Sequence, residues 1–371
     1  MLRLAFLLFV AALSLAGREA VGQIASPSPP PQPPAAASPA APPAAVPSPE
    51  SLINAMGSAD LNQAVQALRS NYINPEALSE TEVDRATLTG LLARLGRGVM
   101  LLPQQAPSAA DTTTPFFAEV LGGHVGYARI GSLTPPNLQA FDANLQSLGG
   151  KKINALVVDL RATSTTNEFT LAAEVAKRLC PKGKPLFTLR KPGQKQERAF
   201  TSDRDPAFQG LVIVLADADT SGPAEAIAGV LRQHMKALVI GQPTAGRAVE
   251  FSDVNLNGGR MLRIAVAEAV LPDGRSLFPD GVKPDLAVEL AAVDKRQVFQ
   301  ESVTKGISQF VFEAERPHMN EAALLAGRNP ELDALEAAQR RGRAPEPPKV
   351  RDPVIQRAVD VVTSLAIYQQ R

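Results

Sequence analysis

The chain has 371 residues, 45% of them hydrophobic, and its 38 Lys and Arg nearly balance its 37 Asp and Glu, which gives a formal net charge of +1 at pH 7. It therefore lacks the global charge excess that is typical of proteins that bind nucleic acids or acidic substrates. The composition is that of a soluble globular protein, and the length allows one large domain or two ordinary ones.

The N-terminus has the pattern of an export signal. Arg3 precedes an apolar stretch, Leu4 to Ala16, and small residues follow at Ala20 and Gly22. This pattern predicts a signal peptide over residues 1–22 and an exported protein, periplasmic or secreted, that has no membrane segment after cleavage. An uncleaved N-terminal anchor is the alternative. Residues 23–50 are rich in Pro, Ala and Ser, which predicts a disordered, extended linker.

The remaining chain divides into three predicted segments. Residues 51–114 are expected to be helical to about Pro103, with a capping box formed by Ser79 and Glu82. Residues 115–290 are expected to form an α/β core, with a hairpin around Gly122 and Gly123 followed by strands that alternate with helices in a mostly parallel sheet. Residues 291–371 are again charged and predicted to be helical.

Cysteine and motif content exclude several kinds of chemistry. Cys180 is the only cysteine, so an internal disulfide is excluded, and its place in an apolar helical pattern predicts a buried core residue. The sequence contains no metal-ligand cluster, phosphate-binding loop or dinucleotide fingerprint. We therefore expect neither a metal nor a cofactor.

The stretch "ADTSGPAEAIAGVL" follows the apolar run "LVIVL" and has the pattern of a strand, a tight turn and a helix. Gly222 can be the N-cap and Pro223 the first helical residue. The backbone amides of such a helix N-terminus could hold an anion or an oxyanion, although the turn on its own is equally typical of a well-capped helix.

Four stretches occur in an order that resembles the C-terminal processing peptidases, also called tail-specific proteases. They are "GYARIGSL", "INALVVDLRATSTTNEFTLAAEVAKRL", "ADTSGPAEAIAGVLRQHMKALVIGQPTAGRA" and "LPDGRSLFPDGVKPDLAVEL". The resemblance covers roughly residues 51–290 and implies a ClpP/crotonase-like core, flanked here by N-terminal and C-terminal helical segments. It also implies a Ser/Lys catalytic dyad and peptide substrates.

The residues that stand at the family's dyad positions differ from the family pattern. Anchored on Glu225, the nucleophile's position falls on Gly222, and anchored on Thr244 and Gly246, the lysine's position falls on Arg247. Glycine carries no nucleophile, and arginine stays protonated and cannot act as a general base. Ser221 is the fallback nucleophile, although it lies one residue early on the turn.

Two further departures bear on activity. Thr165 and Thr166 replace the two glycines of the family's motif after Asp159 and Arg161, where a glycine amide helps to hold the oxyanion. A β-branched residue resists the backbone angles that glycine accepts. The PDZ domain that is common in the family is also expected to be absent, because only residues 103–114 fill its interval.

These departures predict an exported relative that is catalytically degenerate and binds peptide or protein C-termini. Ser221, Gly222 and Arg247 would contact the peptide, with Arg247 as a fixed cation for a terminal carboxylate. One alternative is an active serine-type endopeptidase that uses Ser221 with an unidentified base; the sequence places none of the three histidines, His124, His234 and His318, at the site. A second alternative is a structural protein whose helical ends drive homo-oligomerisation.

Overall fold

The computed structural model describes residues 48–103, 113–163, 167–193, 197–311 and 350–369. The predicted signal peptide and nearly all of the predicted linker lie outside these residues. The chain divides into two compact units, Met1–Leu78 and Ser79–Arg371.

The first unit contains helices α1 (Pro49–Ala55) and α2 (Ser58–Asn71), followed by a 3₁₀ turn over Pro75–Leu78. The Ser48 hydroxyl caps α1 by accepting the backbone N–H of Ser51 at 3.2 Å. Neither helix has a buried residue.

The second unit contains two sheets and six helices in its described part. In chain order its elements are α3 (Glu80–Leu95), β1 (Val99–Pro103), β2 (Phe117–Leu121), β3 (Val125–Arg129), α4 (Pro135–Gly149), β4 (Ala155–Asp159), α5 (Phe169–Lys177), β5 (Pro185–Arg190), β6 (Arg198–Thr201), β7 (Leu211–Ala216), α6 (Pro223–Met235), β8 (Leu238–Gly241), β9 (Val249–Leu256), β10 (Arg260–Val270), β11 (Leu286–Ala287), α7 (Ala292–Lys305) and α8 (Pro353–Gln369).

Helix α3 begins as predicted at Ser79, whose hydroxyl accepts the backbone N–H of Glu82. The second half of the predicted capping box does not form, because the Glu82 carboxylate pairs with Arg85 one turn further on. The leucines of α3 remain partly exposed, with Leu91 and Leu95 about half exposed.

The larger sheet has six strands in the order β11-β8-β7-β4-β3-β2. All neighbouring strands are parallel except β2 and β3, which form the predicted hairpin. Gly122 and Gly123 in its turn both have positive φ, 55° and 77°, which is the backbone that a tight hairpin turn requires. The expectation of a mostly parallel α/β core is thus confirmed.

Helices cover both faces of this sheet. Val158 and Val214 point to the face that packs on α4, α5 and α6, where Cys180 is buried as predicted. Val157 and Ile213 point to the opposite face, which packs on α7 and α8. Burial on both faces explains the nearly continuous apolar runs of β4 and β7.

The second sheet is antiparallel, and two of its strands differ from the predictions made from the sequence. It has the strand order β1-β10-β5-β6, with β9 also paired to β10. The stretch "PLFTLR", which lies within the segment predicted to form a mostly parallel sheet, forms β5 and pairs antiparallel with β10 and β6. Residues 99–103 form β1 rather than the end of a helix, because β10 is long enough to pair with them. Among the described helices, none is both long and apolar enough to span a membrane.

Candidate functional site

The turn between β7 and α6 has an unusual backbone at Gly222. This residue is the N-cap of α6, with φ 60° and ψ −123°, and Pro223 occupies the first helical position as expected. L-residues rarely adopt such a positive φ without strain, whereas glycine does so readily. A sharp strand-to-helix turn of this kind presents the nucleophile in many hydrolases, but here the position has no side chain.

Glu225, one turn into α6, connects this turn to the loop before β9. Its carboxylate is fully buried and accepts the backbone N–H groups of Gly222 at 3.2 Å, Gly246 at 2.5 Å and Arg247 at 2.7 Å. Burial raises the pKa of Glu225, and hydrogen bonds from the Thr244 side chain and these backbone amides oppose the shift without cancelling it. Glu225 therefore holds the two predicted dyad positions next to each other.

Gly222, Ser221 and Arg247 line one cavity of about 730 Å³. Ser221 and Arg247 are both half-buried. In the part of the chain that the structure describes, neither the Ser221 hydroxyl nor the Arg247 guanidinium has a hydrogen-bond partner. Thr165 and Thr166, the two other predicted positions, lie outside the described residues.

The histidines of the described ranges do not approach Ser221. His124 lies in the β2–β3 turn, where its Nδ1 is 2.7 Å from the Gly122 carbonyl, at the end of the sheet opposite to the carboxyl end of β7. His234 lies in the last turn of α6, with Nε2 2.7 Å from the Pro185 carbonyl. Most of α6, a helix of 13 residues that is about 20 Å long at ~1.5 Å per residue, lies between His234 and Ser221. His318 lies outside the described residues.

A buried ionic cluster stands at the carboxyl ends of the parallel strands. Arg161 donates to Asp159 at 2.7 Å and to Asp352, just before α8, at 2.8 Å. Tyr127 donates its hydroxyl to the same Asp159 at 2.7 Å. Burial alone would raise the pKa of Asp159, but the charge and hydrogen bonds of Arg161 outweigh burial and lower it. The cluster fixes the C-terminal segment against the core beside the cavity.

Lys295 on α7 is a cavity residue that sequence reasoning missed. Its Nζ lies 2.6 Å from Asp217 and 2.6 Å from Asp219 and 3.3 Å from the Arg161 carbonyl. Asp217 and Asp219 follow strand β7 directly, and polar residues at the end of a buried strand are a sequence signal that could have indicated a site there. Nothing local to α7 indicates that Lys295 reaches them. Both carboxylates bind the ammonium group of this lysine directly, so its hydrogen bonds are already committed within the protein.

The described cavity lining has a surplus of positive charge. Its charged residues are five arginines and one lysine against one carboxylate, namely Arg129, Arg161, Arg247, Arg263, Arg296 and Lys295 against Asp219. The same wall carries apolar side chains, including Met100, Leu102, Phe251 and Val303. Such a cavity can bind a partly apolar, anionic ligand. No group of three His, Cys, Asp or Glu that could hold a metal ion occurs in the described ranges.

Comparison with known proteins finds similarity within the predicted core. Residues 124–288 match the model for Peptidase family S41. Over 161 residues the chain is 28% identical to carboxyl-terminal-processing peptidase 2 of Arabidopsis thaliana, covering 43% of this chain and 31% of that protein. Over 237 residues it is 24% identical to carboxy-terminal processing protease CtpB of Bacillus subtilis, covering 63% and 46%. The resemblance to the C-terminal processing peptidases is therefore confirmed for the core.

A solved structure of the photosystem II D1 C-terminal processing protease is similar to the chain with a TM-score of 0.40 and 20% identity, covering 56% of this chain and 53% of that one. The chain spans less than half the length of the Arabidopsis thaliana peptidase and less than half the length of the Bacillus subtilis protease.

Proposed function

We propose that this protein is an exported, noncatalytic relative of the C-terminal processing peptidases that binds peptide or protein C-termini in the cavity beside Gly222. The observation that carries the proposal is the backbone of Gly222, which has the turn of a nucleophile position at φ 60° and ψ −123° without a side chain. The family match of residues 124–288 supports a peptide as the ligand.

Arg247 supplies the group that would recognise a terminal carboxylate. Its backbone is fixed by Glu225, while its guanidinium lines the cavity with no carboxylate partner in the described residues. Arginine matches the planar geometry of a carboxylate and can donate two parallel hydrogen bonds to it. A lysine at this position would serve as a base, whereas an arginine serves as a permanent cation.

The edge of β9 offers a place for an extended peptide. Strand β9 begins two residues after Arg247 and pairs only with β10 in the described part of the chain. The Asn167 side-chain amide already pairs with this edge, because it accepts from the backbone N–H of Phe251 at 2.9 Å and donates to its carbonyl at 3.1 Å. A peptide that adds to a strand edge uses the same kind of amide pairing.

The test is a binding titration of fluorescent peptides that end either in a free carboxylate or in an amide. We expect the free carboxylate to bind about tenfold more tightly, and Arg247→Ala to abolish the difference, as expected for loss of one charge-assisted pair. Arg275→Ala is the matched control, since Arg275 is an arginine that does not line the cavity. Equal binding of the two peptides by the unaltered protein would exclude the proposed role of Arg247.

The competing function is an active serine-type endopeptidase that uses Ser221. Its support is that the Ser221 hydroxyl lines the same cavity. Against it stands the lack of any described base in hydrogen-bond contact with that hydroxyl, because catalysis requires nucleophile and base to be positioned together.

A further inference from the structure

Arg129, at the end of β3, is a buried cation that has no counter-ion among the residues that the structure describes. Only 1% of the residue is exposed, and its guanidinium carbon lies 4.9 Å from the ring centre of Phe117 and 4.5 Å from that of Phe299. Nη1 donates to the Ser302 hydroxyl at 3.1 Å. Nε is buried without a partner, and no carboxylate of the described residues pairs with the side chain.

The two other buried cations of the cavity, unlike Arg129, form ion pairs with carboxylates. Arg161 contacts Asp159 and Asp352, and Lys295 contacts Asp217 and Asp219, so each has two carboxylates. Burying a charge is costly unless it is paired, and aromatic rings and a hydroxyl offset this cost less completely than a carboxylate does. Arg129 therefore stands out as the cation for which the described protein supplies no anion.

Arg129 lines the same cavity as Arg247, so an anion bound there would be part of the same ligand site. Arg263 is not available for this purpose, because it forms two hydrogen bonds with Asp253. Arg296 has no partner in the described chain, but it is exposed, and solvent screens its charge. Two cations of the described lining thus remain for a ligand, Arg129, which is buried, and Arg247, which is half-buried.

We propose that Arg129 binds a second carboxylate, carried by an acidic side chain near the C-terminus of the bound peptide. This inference rests on the proposed function and names its substrate class: acidic peptides with a free C-terminus. A neutral peptide would leave Arg129 buried and unpaired in the complex. A peptide with an acidic residue at the right distance from its terminus would pair with Arg129 and should therefore bind more tightly.

The experiment measures binding of fluorescent peptides by anisotropy. Each acidic peptide carries one Glu at one of the last four positions and is compared with the same peptide carrying Gln there. For one position we expect the Glu peptide to bind at least about tenfold more tightly to the unaltered protein, because a charge-assisted pair out of water is strong. Equal affinity of Glu and Gln peptides at every position would overturn the inference.

Variants then assign the preference to a residue. Arg129→Met should remove the preference for Glu and leave binding of the Gln peptide intact, which also shows that the site is folded. Arg129→Lys should restore part of the preference. Arg296→Met, which removes an exposed cation of the same cavity, should change it less than twofold. A preference for Glu that persists in Arg129→Met would overturn the assignment.

The two proposals fail in different ways. If Gln and Glu peptides bind equally well and both require a free terminus, only the role of Arg129 is wrong. If no peptide binds the unaltered protein, the proposed function and the inference both fall. Equal binding of Glu and Gln peptides by the unaltered protein overturns the inference even where Arg129→Met does not fold, and in that case Arg129→Lys tests the assignment of a Glu preference to Arg129.

Discussion

Gly222 and Arg247 donate their backbone N–H groups to the same oxygen atom, Oε2 of Glu225, over 3.2 and 2.7 Å. The two positions that the sequence predicts to correspond to the family's serine and lysine are thus held together through the main chain and do not depend on their own side chains. The contact between the two segments therefore does not require a serine or a lysine side chain at these positions.

Replacing Glu225 should therefore disturb the site more than replacing either position. Glu225→Gln puts an amide N–H₂ where an oxygen now accepts backbone N–H groups, and each buried amide that loses its acceptor costs about 1–3 kcal/mol. We expect the free energy of unfolding, measured by urea denaturation, to fall accordingly and peptide binding to weaken. Glu250→Gln, which alters a partly exposed pair with Arg198, is the control and should change stability by less than about 1 kcal/mol.

The positive φ of Gly222 predicts that a side chain at this position strains the backbone. Gly222→Ala adds a Cβ at a φ of 60°, and we expect a loss of roughly 1–2 kcal/mol in the free energy of unfolding. Gly149→Ala is the matched control, because Gly149 ends α4 with nothing within 4 Å of an added Cβ. It should be neutral or stabilising by up to about 1 kcal/mol. Equal effects of the two substitutions would contradict the conformation described for Gly222.

The buried Asp159–Arg161 pair should make the free energy of unfolding depend on pH in the acidic range. The pKa of Asp159 is lower in the folded protein than in the unfolded chain, where it is about 3.9. Its contribution is therefore fully present above about pH 4 and is lost as the pH falls through the folded value. Asp159→Asn should flatten the loss of stability on acidification, measured by denaturation from pH 7 to pH 2. An unchanged acid profile would show that Asp159 is not the group that titrates.

Cys180 should be inert toward thiol reagents in the folded state. Burial raises the pKa of its thiol to about 12, so almost no thiolate exists at neutral pH. We expect no reaction with an aromatic disulfide reagent in buffer and one reactive thiol per chain in denaturant. Rapid labelling of the native protein would show that this part of the core opens.

The sequence predicted the elements whose signals are local. The glycines at 122 and 123 indicated the hairpin and Ser79 the start of α3, and both predictions are confirmed. The family pattern also predicts that Gly222 and Arg247 stand at the dyad positions, which stays a prediction, and in the structure the backbone amides of both residues contact one carboxylate.

Features that depend on distant segments were not predictable from the sequence. Strand β1 forms because β10 extends far enough to pair with it, and nothing within residues 99–103 distinguishes a strand from a helix end. Lys295 and Asp352 join the site from the C-terminal segment, across 78 and 191 residues, to meet Asp217 and Arg161. Arg129 lies in strand β3, whose sequence does not indicate that this side chain is buried. Its burial follows from the packing of Phe117 and Phe299 against the guanidinium group.

The central claim is that the site retains the family's backbone but has no working nucleophile. The most direct measurement is covalent labelling by a fluorescent, serine-directed phosphonate probe, with mass spectrometry of the labelled peptide and cleavage of an unstructured protein as a parallel readout. We predict no labelling and no cleavage by the unaltered protein, and the same for Ser221→Ala. Labelling of the unaltered protein that disappears in Ser221→Ala, together with cleavage, would contradict the account and establish Ser221 as a nucleophile.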